Sequence, residues 1–209
     1  MAIDEDIDET TGAPDLLVMA FELIAEHGWS GLSLVELARR AGLPPAEVYR
    51  QLPGRVAVLR ALSRRMDEAM LEFDEIELAG MPPRDRMFEL LMRRLEALVP
   101  FRPGLERLAR AGRCDPCLVL ATGCRLDRSL AWAQDAAGVR RFGLRARIAR
   151  RALGAAYLQT LRAWFRDESV DLSKTMVELD KQLRRAEGVA GLRPPPAGRA
   201  PREESPQPA

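Results

Sequence analysis

Residues 33–55 read SLVELARRAGLPPAEVYRQLPGR, and this stretch decides the fold class of the 209-residue chain. Ser33 and Glu36 have the spacing of a capping box, in which each side chain satisfies a backbone N–H at a helix start. Gly42 supplies the left-handed residue that ends this helix. Pro45 suits the first position of a second helix, where no N–H donor is required. The stretch therefore predicts two short helices joined by a tight turn, which is helix-turn-helix geometry.

Helical spacing of apolar residues continues on both sides of this stretch. A first helix is predicted over residues 14–27, ending at Gly28, and a long helix over residues 55–77. About five more helices are expected between residues 84 and 187. No run of residues alternates at the period of a strand. The sequence thus predicts an all-α protein of about nine helices, with an N-terminal three-helix helix-turn-helix domain and a C-terminal helical domain.

Composition divides the chain into four segments. Residues 1–13 are acidic and residues 191–209 are rich in proline, so both are expected to be disordered. Residues 14–54 form the predicted helix-turn-helix domain. Residues 55–190 form the larger helical domain.

The overall composition excludes several classes of protein. Hydrophobic residues make up 47% of the chain and charged residues 30%, which is typical of a globular protein with a core. No apolar stretch reaches the length of a membrane helix and the N-terminus is acidic, so a cytoplasmic protein without membrane insertion is expected. The chain has a single histidine and no phosphate-binding loop or nucleophile elbow. We therefore expect neither an enzyme nor a cofactor.

The cysteines do not form a recognisable metal site. Cys114 and Cys117 make a CxxC pair followed by Cys124, but a structural zinc site takes four cysteine or histidine ligands. The histidine, His27, lies in the other predicted domain. The pair is either a thiol switch at a helix N-terminus or two ordinary reduced thiols.

The helix-turn-helix residues resemble the DNA-binding domain of the TetR family of transcriptional regulators. The resemblance covers residues 15–65 and is carried by AEHGW at 25–29, AG at 41–42, VY at 48–49 and LPGR at 52–55. It implies a homodimeric regulator, in particular a repressor that binds a palindromic double-stranded operator and is released by a small hydrophobic effector. The larger domain would then bind the effector and dimerise.

The resemblance also implies roles for individual residues. Tyr49 and Arg55 would hold phosphates, and Ser33 would lend a further phosphate its hydroxyl or its helix N-terminus. Arginine and glutamine are suited to guanine and adenine edges. The residues predicted to contact DNA are Ser33, Pro45, Ala46, Glu47, Tyr49, Arg50, Gln51 and Arg55.

The sequence departs from the family pattern in three places. Pro44 replaces the Ser or Thr cap of the recognition helix, residues 51–52 are Gln-Leu instead of His-Phe, and residues 54–55 are Gly-Arg instead of Ser-Lys. A second interpretation is therefore a helix-turn-helix without DNA binding, as in the lipid-binding accessory proteins of ubiquinone biosynthesis, which share the TetR fold. Residues 163–169 and Thr175 loosely resemble the end of those proteins.

The larger domain carries two apolar stripes after residue 140, one from Phe142 to Trp164 and one from Leu172 to Ala186. The resemblance implies that the last two helices dimerise, while the stripes alone fit an intramolecular core equally well. Methionine and aromatic side chains suit an adaptable apolar pocket, although ordinary core packing would also use them. The candidate pocket residues are Met87, Phe88, Leu91, Met92, Trp132, Tyr157 and Trp164.

Overall fold

The computed structural model of the chain describes residues 15–111, 116–139 and 143–192. Within these ranges the regular structure consists of ten α-helices and one 3-10 turn, with no strand, so the predicted all-α class is confirmed. The predicted N-terminal tail lies outside the described residues, as does the predicted C-terminal tail from residue 193 onward.

The helices are named in chain order. They are α1 (Leu16–Gly31), α2 (Leu34–Ala41), α3 (Pro45–Gln51), α4 (Arg55–Leu71), α5 (Glu75–Leu78), α6 (Pro83–Glu96), α7 (Arg102–Ala111), α8 (Pro116–Ala136), α9 (Gly143–Trp164) and α10 (Ser173–Ala190). The 3-10 turn Val99–Phe101 precedes α7.

The local signals of the helix-turn-helix are largely confirmed. Gly28 has a φ of 76° and interrupts α1, which continues for one more turn to Gly31. Ser33 caps α2, because its Oγ accepts the N–H of Glu36 at 3.3 Å. The other half of the predicted capping box does not form. The Glu36 carboxylate instead accepts from Nε and Nη2 of Arg39 at 3.0 and 2.6 Å, since a charged guanidinium is a stronger donor than a backbone N–H.

The prediction of one long helix over residues 55–77 is wrong. Helix α4 ends at Leu71, and the separate short helix α5 begins at Glu75. Asp74 explains the break, because its side chain accepts the N–H of Ile76 at 3.0 Å and so starts a new helix.

The described residues form two compact units. The first unit consists of the residues up to Leu62 and those from Pro100 to Val119, and the second of residues 63–99 and those from Leu120 onward. The predicted domain limits, with a boundary after residue 54, stay a prediction.

In the first unit, α7 packs against α1 at Gly104. A Cβ atom at Gly104 would overlap the carbonyl oxygen of Phe21 and lie 2.8 Å from its Cδ1. The rings of Phe21 and Phe101 are buried and meet edge to face, with their centroids 5.3 Å apart. Arg107 Nε on α7 donates to the carbonyl of Ala25 on α1 at 3.3 Å. The missing side chain at Gly104 therefore lets the two backbones touch.

In the second unit, α6, α9 and α10 pack against one another. The two predicted stripes supply this packing: Leu153 and Trp164 on α9, and Leu179 and Leu183 on α10, are completely buried within the chain. The intramolecular interpretation of the stripes is therefore confirmed. Phe142, the first residue of the predicted α9 stripe, lies outside the described residues.

Asp167 organises the connection between α9 and α10. Its carboxylate accepts the N–H and hydroxyl of Ser169, and the N–H and hydroxyl of Thr175 at 2.8 and 2.7 Å. The N-cap residue of α10, Leu172, has no polar side chain and a φ of 54°, so Asp167 satisfies a helix N–H in its place. Burial raises the pKa of Asp167, but these hydrogen bonds lower the pKa by more, and the net pKa lies well below the ordinary value.

A buried ion pair joins α6 to the second half of α4. Arg94 on α6 is only 6% exposed and pairs with Asp67 on α4. The guanidinium carbon of Arg94 lies 5.9 Å from the centre of the Tyr157 ring. Burial raises the pKa of Tyr157, which keeps its hydroxyl neutral beside the pair.

We expect Gly104→Ala to lower the free energy of unfolding by about 1–3 kcal/mol, because the added Cβ would overlap the backbone of α1. Gly123 on α8 is a matched control, since no atom lies within 4 Å of a Cβ there. Gly123→Ala should raise the free energy of unfolding by about 0.5–1 kcal/mol. Urea denaturation measures both changes, and shifts of the same sign would contradict the close approach at Gly104.

We expect Asp67→Asn to lower the free energy of unfolding by about 3 kcal/mol, because it leaves the Arg94 charge buried without its counterion. The matched control is Glu68→Gln, which breaks the exposed Arg64–Glu68 pair on the same helix and should cost less than about 1 kcal/mol. The double variant Asp67→Leu/Arg94→Met should recover most of the loss. Equal effects of the two single variants in urea denaturation would show that burial of the Asp67–Arg94 pair is unimportant.

Candidate functional site

The turn between α2 and α3 is held by backbone bonds and buried side chains. Gly42 has a φ of 66°, and the N–H of Leu43 returns to the carbonyl of Ala38 at 3.0 Å. This pattern satisfies the last carbonyls of α2. Leu37 on α2 and Val48 on α3 are completely buried. The turn and these two side chains fix which face of α3 is exposed.

Helix α3 begins without a side-chain cap, as Pro44 predicts. Pro44 makes no cap hydrogen bond, and Pro45 has no N–H to satisfy. The N–H groups of Glu47 and Val48 both donate to the carbonyl of Pro44, at 2.9 and 3.4 Å. The backbone alone therefore closes the first turn of α3.

The predicted DNA-binding residues lie on the surface of the first unit. Glu47 is partly buried and the other seven are exposed, including Tyr49, which is 65% exposed. Ser33 stands at the start of α2 and Arg55 at the start of α4, where its Nε donates to the carbonyl of Leu32 at 3.1 Å. The remaining predicted residues all lie on α3.

The polar side chains of α3 bind one another. Glu47 forms an ion pair with Arg50 and accepts from Gln51 Nε2 at 3.0 Å. All three side chains are solvent-accessible, so each bond is weak and can be exchanged for an outside partner.

The two arginines of α2 are also in ion pairs. Arg39 binds Glu36, and Arg40 binds Glu26 on α1 at 2.7 and 2.9 Å. The hydrogen bond from Arg39 lowers the pKa of Glu36, and the hydrogen bond from Arg40 lowers the pKa of Glu26. Both carboxylates are thus charged at neutral pH and offset part of the positive potential of α2.

A groove between α2 and α3 brings together four predicted residues and two that the sequence analysis missed. Its volume is about 510 Å³. It is lined by Leu34, Val35, Pro45, Ala46, Tyr49 and Arg50. The position of Val35 in the sequence could have indicated this groove, because the valine falls outside the apolar stripe of Leu37 and Ala38. In the structure that stripe is buried and Val35 is 67% exposed.

The candidate pocket residues of the second unit differ in exposure. Those on α6 and α9 are buried, apart from Phe88, which is partly buried. Trp132 on α8 is 57% exposed and so lies at the surface. The buried residues are Met87, Leu91, Met92, Tyr157 and Trp164.

The cysteines and the charged residues form no metal cluster where the structure describes them. Cys124 is exposed, whereas Cys114 and the side chain of Cys117 lie outside the described part. No group of three or more histidine, cysteine, aspartate or glutamate side chains in the described ranges is placed to hold a metal ion. None of the helices in those ranges combines the length and the apolar character needed to cross a membrane.

Comparisons with known proteins agree with this geometry. Residues 16–62 match the family model of bacterial regulatory proteins, tetR family. The chain is 25% identical to the TetR transcriptional regulator from Nitrosomonas europaea, with a TM-score of 0.69 over 83% of this chain and 97% of that one. No curated protein matches the sequence.

Two further solved structures share the fold at 18% identity. A TetR regulator from Rhodococcus sp. RHA1 has a TM-score of 0.57 over 82% of this chain and 92% of its own. A tetR-family regulator from Streptomyces coelicolor has a TM-score of 0.55 over 83% of this chain and 78% of its own. The predicted arrangement of an N-terminal helix-turn-helix and a C-terminal helical region is therefore confirmed.

Proposed function

Since residues 16–62 of this chain match the family model of bacterial regulatory proteins, tetR family, we propose that the protein is a transcriptional regulator that binds double-stranded DNA. The observation that carries the proposal is the exposed face of α3. Tyr49, Arg50 and Gln51 all extend from this face into solvent. A short helix after a tight turn, with polar side chains on its free face, fits the major groove of B-DNA.

In this proposal Arg50 breaks its ion pair with Glu47 and forms hydrogen bonds to a base instead. The Arg50–Glu47 pair is exposed, and such a pair contributes about 0–1 kcal/mol. A bidentate contact from arginine to guanine is worth about 1–3 kcal/mol of discrimination. Replacing Glu47 by a guanine as the partner of Arg50 is therefore favourable. Glu47 is then available to accept from the amino group of a cytosine.

The other predicted residues position the helix on the phosphates. Tyr49 lies in the last turn of α3 and Arg55 is the first residue of α4, and both reach the DNA backbone in this proposal. The Nε of Arg55 is already bonded to Leu32, so its terminal nitrogens make the phosphate contact. Ser33 contributes the N-terminus of α2.

We also propose that the regulator is a homodimer formed through α9 and α10. The buried stripes of these helices serve the internal core, but a different set of apolar residues faces outward. These are Leu144, Ile148 and Leu158 on α9, and Val177 and Val189 on α10. A C2 dimer would place two copies of α3 about 34–36 Å apart, which matches successive turns of a palindromic operator.

The interior of the second unit supports a small hydrophobic effector in this proposal. Met87 and Met92 on α6 are buried beside the packed helices α9 and α10. Thioether side chains adapt their shape at low cost, so such an interior can open around an apolar ligand. Binding of the effector would release the protein from its operator, as in a repressor.

A lipid carrier without DNA binding is the second candidate. The observation that favours it is the start of α3, where Pro44 provides no hydroxyl and Glu47 places a carboxylate on the helix that would enter the polyanionic DNA. Both features weaken an anion-binding surface.

We expect Arg50→Ala to weaken binding to the specific site by about 1–3 kcal/mol and to relax its sequence preference. Tyr49→Phe should weaken specific and non-specific DNA alike, because a phosphate contact positions the protein without reading sequence. Arg110→Ala is the matched control, since Arg110 is an exposed arginine of the first unit that pairs with Glu106 on α7. Selection from random DNA fragments, followed by titration of the selected duplex, measures all three variants.

The same selection separates the two candidate functions. A regulator enriches one palindromic sequence, and its affinity falls steeply with salt because counterions are released. If the wild-type protein enriches no sequence at low salt, and native mass spectrometry shows bound lipid, the carrier is the correct function.

We expect light scattering to give twice the chain mass of 23.3 kDa at tens of micromolar. Ile148→Glu and Leu158→Glu should each give a monomer, because a carboxylate buried in an apolar interface has no partner. Ile76→Glu, at a more exposed isoleucine on α5, is the control and should leave the dimer intact. A wild-type monomer would contradict both the dimer and the palindromic operator.

A further inference from the structure

The groove between α2 and α3 has apolar walls that phosphate contacts do not use. Val35 forms part of one wall from α2, and Ala46 forms part of the other from α3. Both residues are exposed, and neither belongs to the core of the first unit. The two walls therefore present apolar carbon that another molecule can cover, which is favourable.

The charges around the groove select an uncharged occupant. Arg50 is the only cation among the residues that line it, and it has a polar partner in both states, Glu47 in the free protein and a base in the proposed complex. Gln51 binds the same carboxylate. An apolar group that enters the groove therefore meets little net charge and displaces water from apolar carbon, which is favourable.

Base edges in the major groove of B-DNA offer one apolar group, the 5-methyl of thymine. Val35 and Ala46 are small side chains of the type that contact this methyl group. We propose that the groove holds thymine 5-methyl groups, and that Val35 and Ala46 select thymine at these positions of each half-site. This inference rests on the proposed DNA binding and adds a specificity determinant to it.

Replacing thymidine by deoxyuridine tests the contact, because it removes only the methyl group from the major-groove edge. The full-length protein first selects its site from random duplexes. The selected duplex is then synthesised with deoxyuridine at one thymidine position at a time. We expect the Kd to rise about fourfold at one or two positions of each half-site, the effect of losing one buried methyl group.

A double-mutant cycle assigns the methyl contact to the groove. Val35→Thr keeps the side-chain shape but replaces a methyl by a hydroxyl, and an exposed helix position tolerates the change. In Val35→Thr, the deoxyuridine effect at the same positions should shrink to less than about twofold. Val170→Thr is the matched control, because Val170 is a fully exposed valine between α9 and α10, and it should keep the fourfold effect. Ala46→Ser repeats the test from the opposite wall.

The outcomes separate this inference from the proposed function. A selected site whose Kd is insensitive to deoxyuridine at every position overturns the inference and leaves DNA binding intact. A deoxyuridine effect that is equal in wild type, Val35→Thr and Ala46→Ser also overturns it, because the methyl is then read elsewhere. Failure to select any sequence overturns both the inference and the proposed function.

Discussion

The contact between Gly104 and the backbone of Phe21 is the constraint on which the helix-turn-helix depends. Helix α7 lies far from α1 in the sequence. Because Gly104 has no side chain, α7 packs directly against the backbone of α1. Helix α1 then carries the next contacts, since Glu26 holds Arg40 on α2 and the segment after α1 holds Arg55 through the carbonyl of Leu32. The exposed face of α3 is thus oriented through a series of contacts that begins at a glycine more than fifty residues away.

The elements that could be predicted from the sequence are those with local causes. Ser33, Gly42 and Pro45 each act on backbone groups within a few residues, so their types and spacing were sufficient. The packing of α7 against α1 could not be predicted in this way, because it depends on a contact between segments that are far apart in the sequence. The two stripes, one through Leu153 and one through Leu179, did not indicate their partner either, since helical period is the same whether the partner helix belongs to the same chain or to another.

The residues of the candidate site also differ in whether the sequence alone could predict them. The residues proposed to contact DNA were found from motif positions, and the structure places all of them at the surface of the first unit. The groove wall at Leu34 and Val35 was missed, because the capping pattern at residues 33–36 indicates where α2 begins and not which of its residues are exposed. The pairing of Glu47 with Arg50 and Gln51 was also missed. These i,i+3 and i,i+4 contacts are visible in the spacing, and they make the face of α3 more neutral than its arginine suggests.

The two prolines that open α3 affect the unfolded chain as much as the folded one. A serine cap would contribute about 1 kcal/mol through a hydrogen bond in the native state. Pro44 and Pro45 offer no such bond, but each ring fixes its own φ near the value it has in the native turn. A compatible proline stabilises by about 0.4–1 kcal/mol by reducing the entropy of the unfolded ensemble. The turn therefore loses little freedom on folding, and α3 is held in position before any partner arrives.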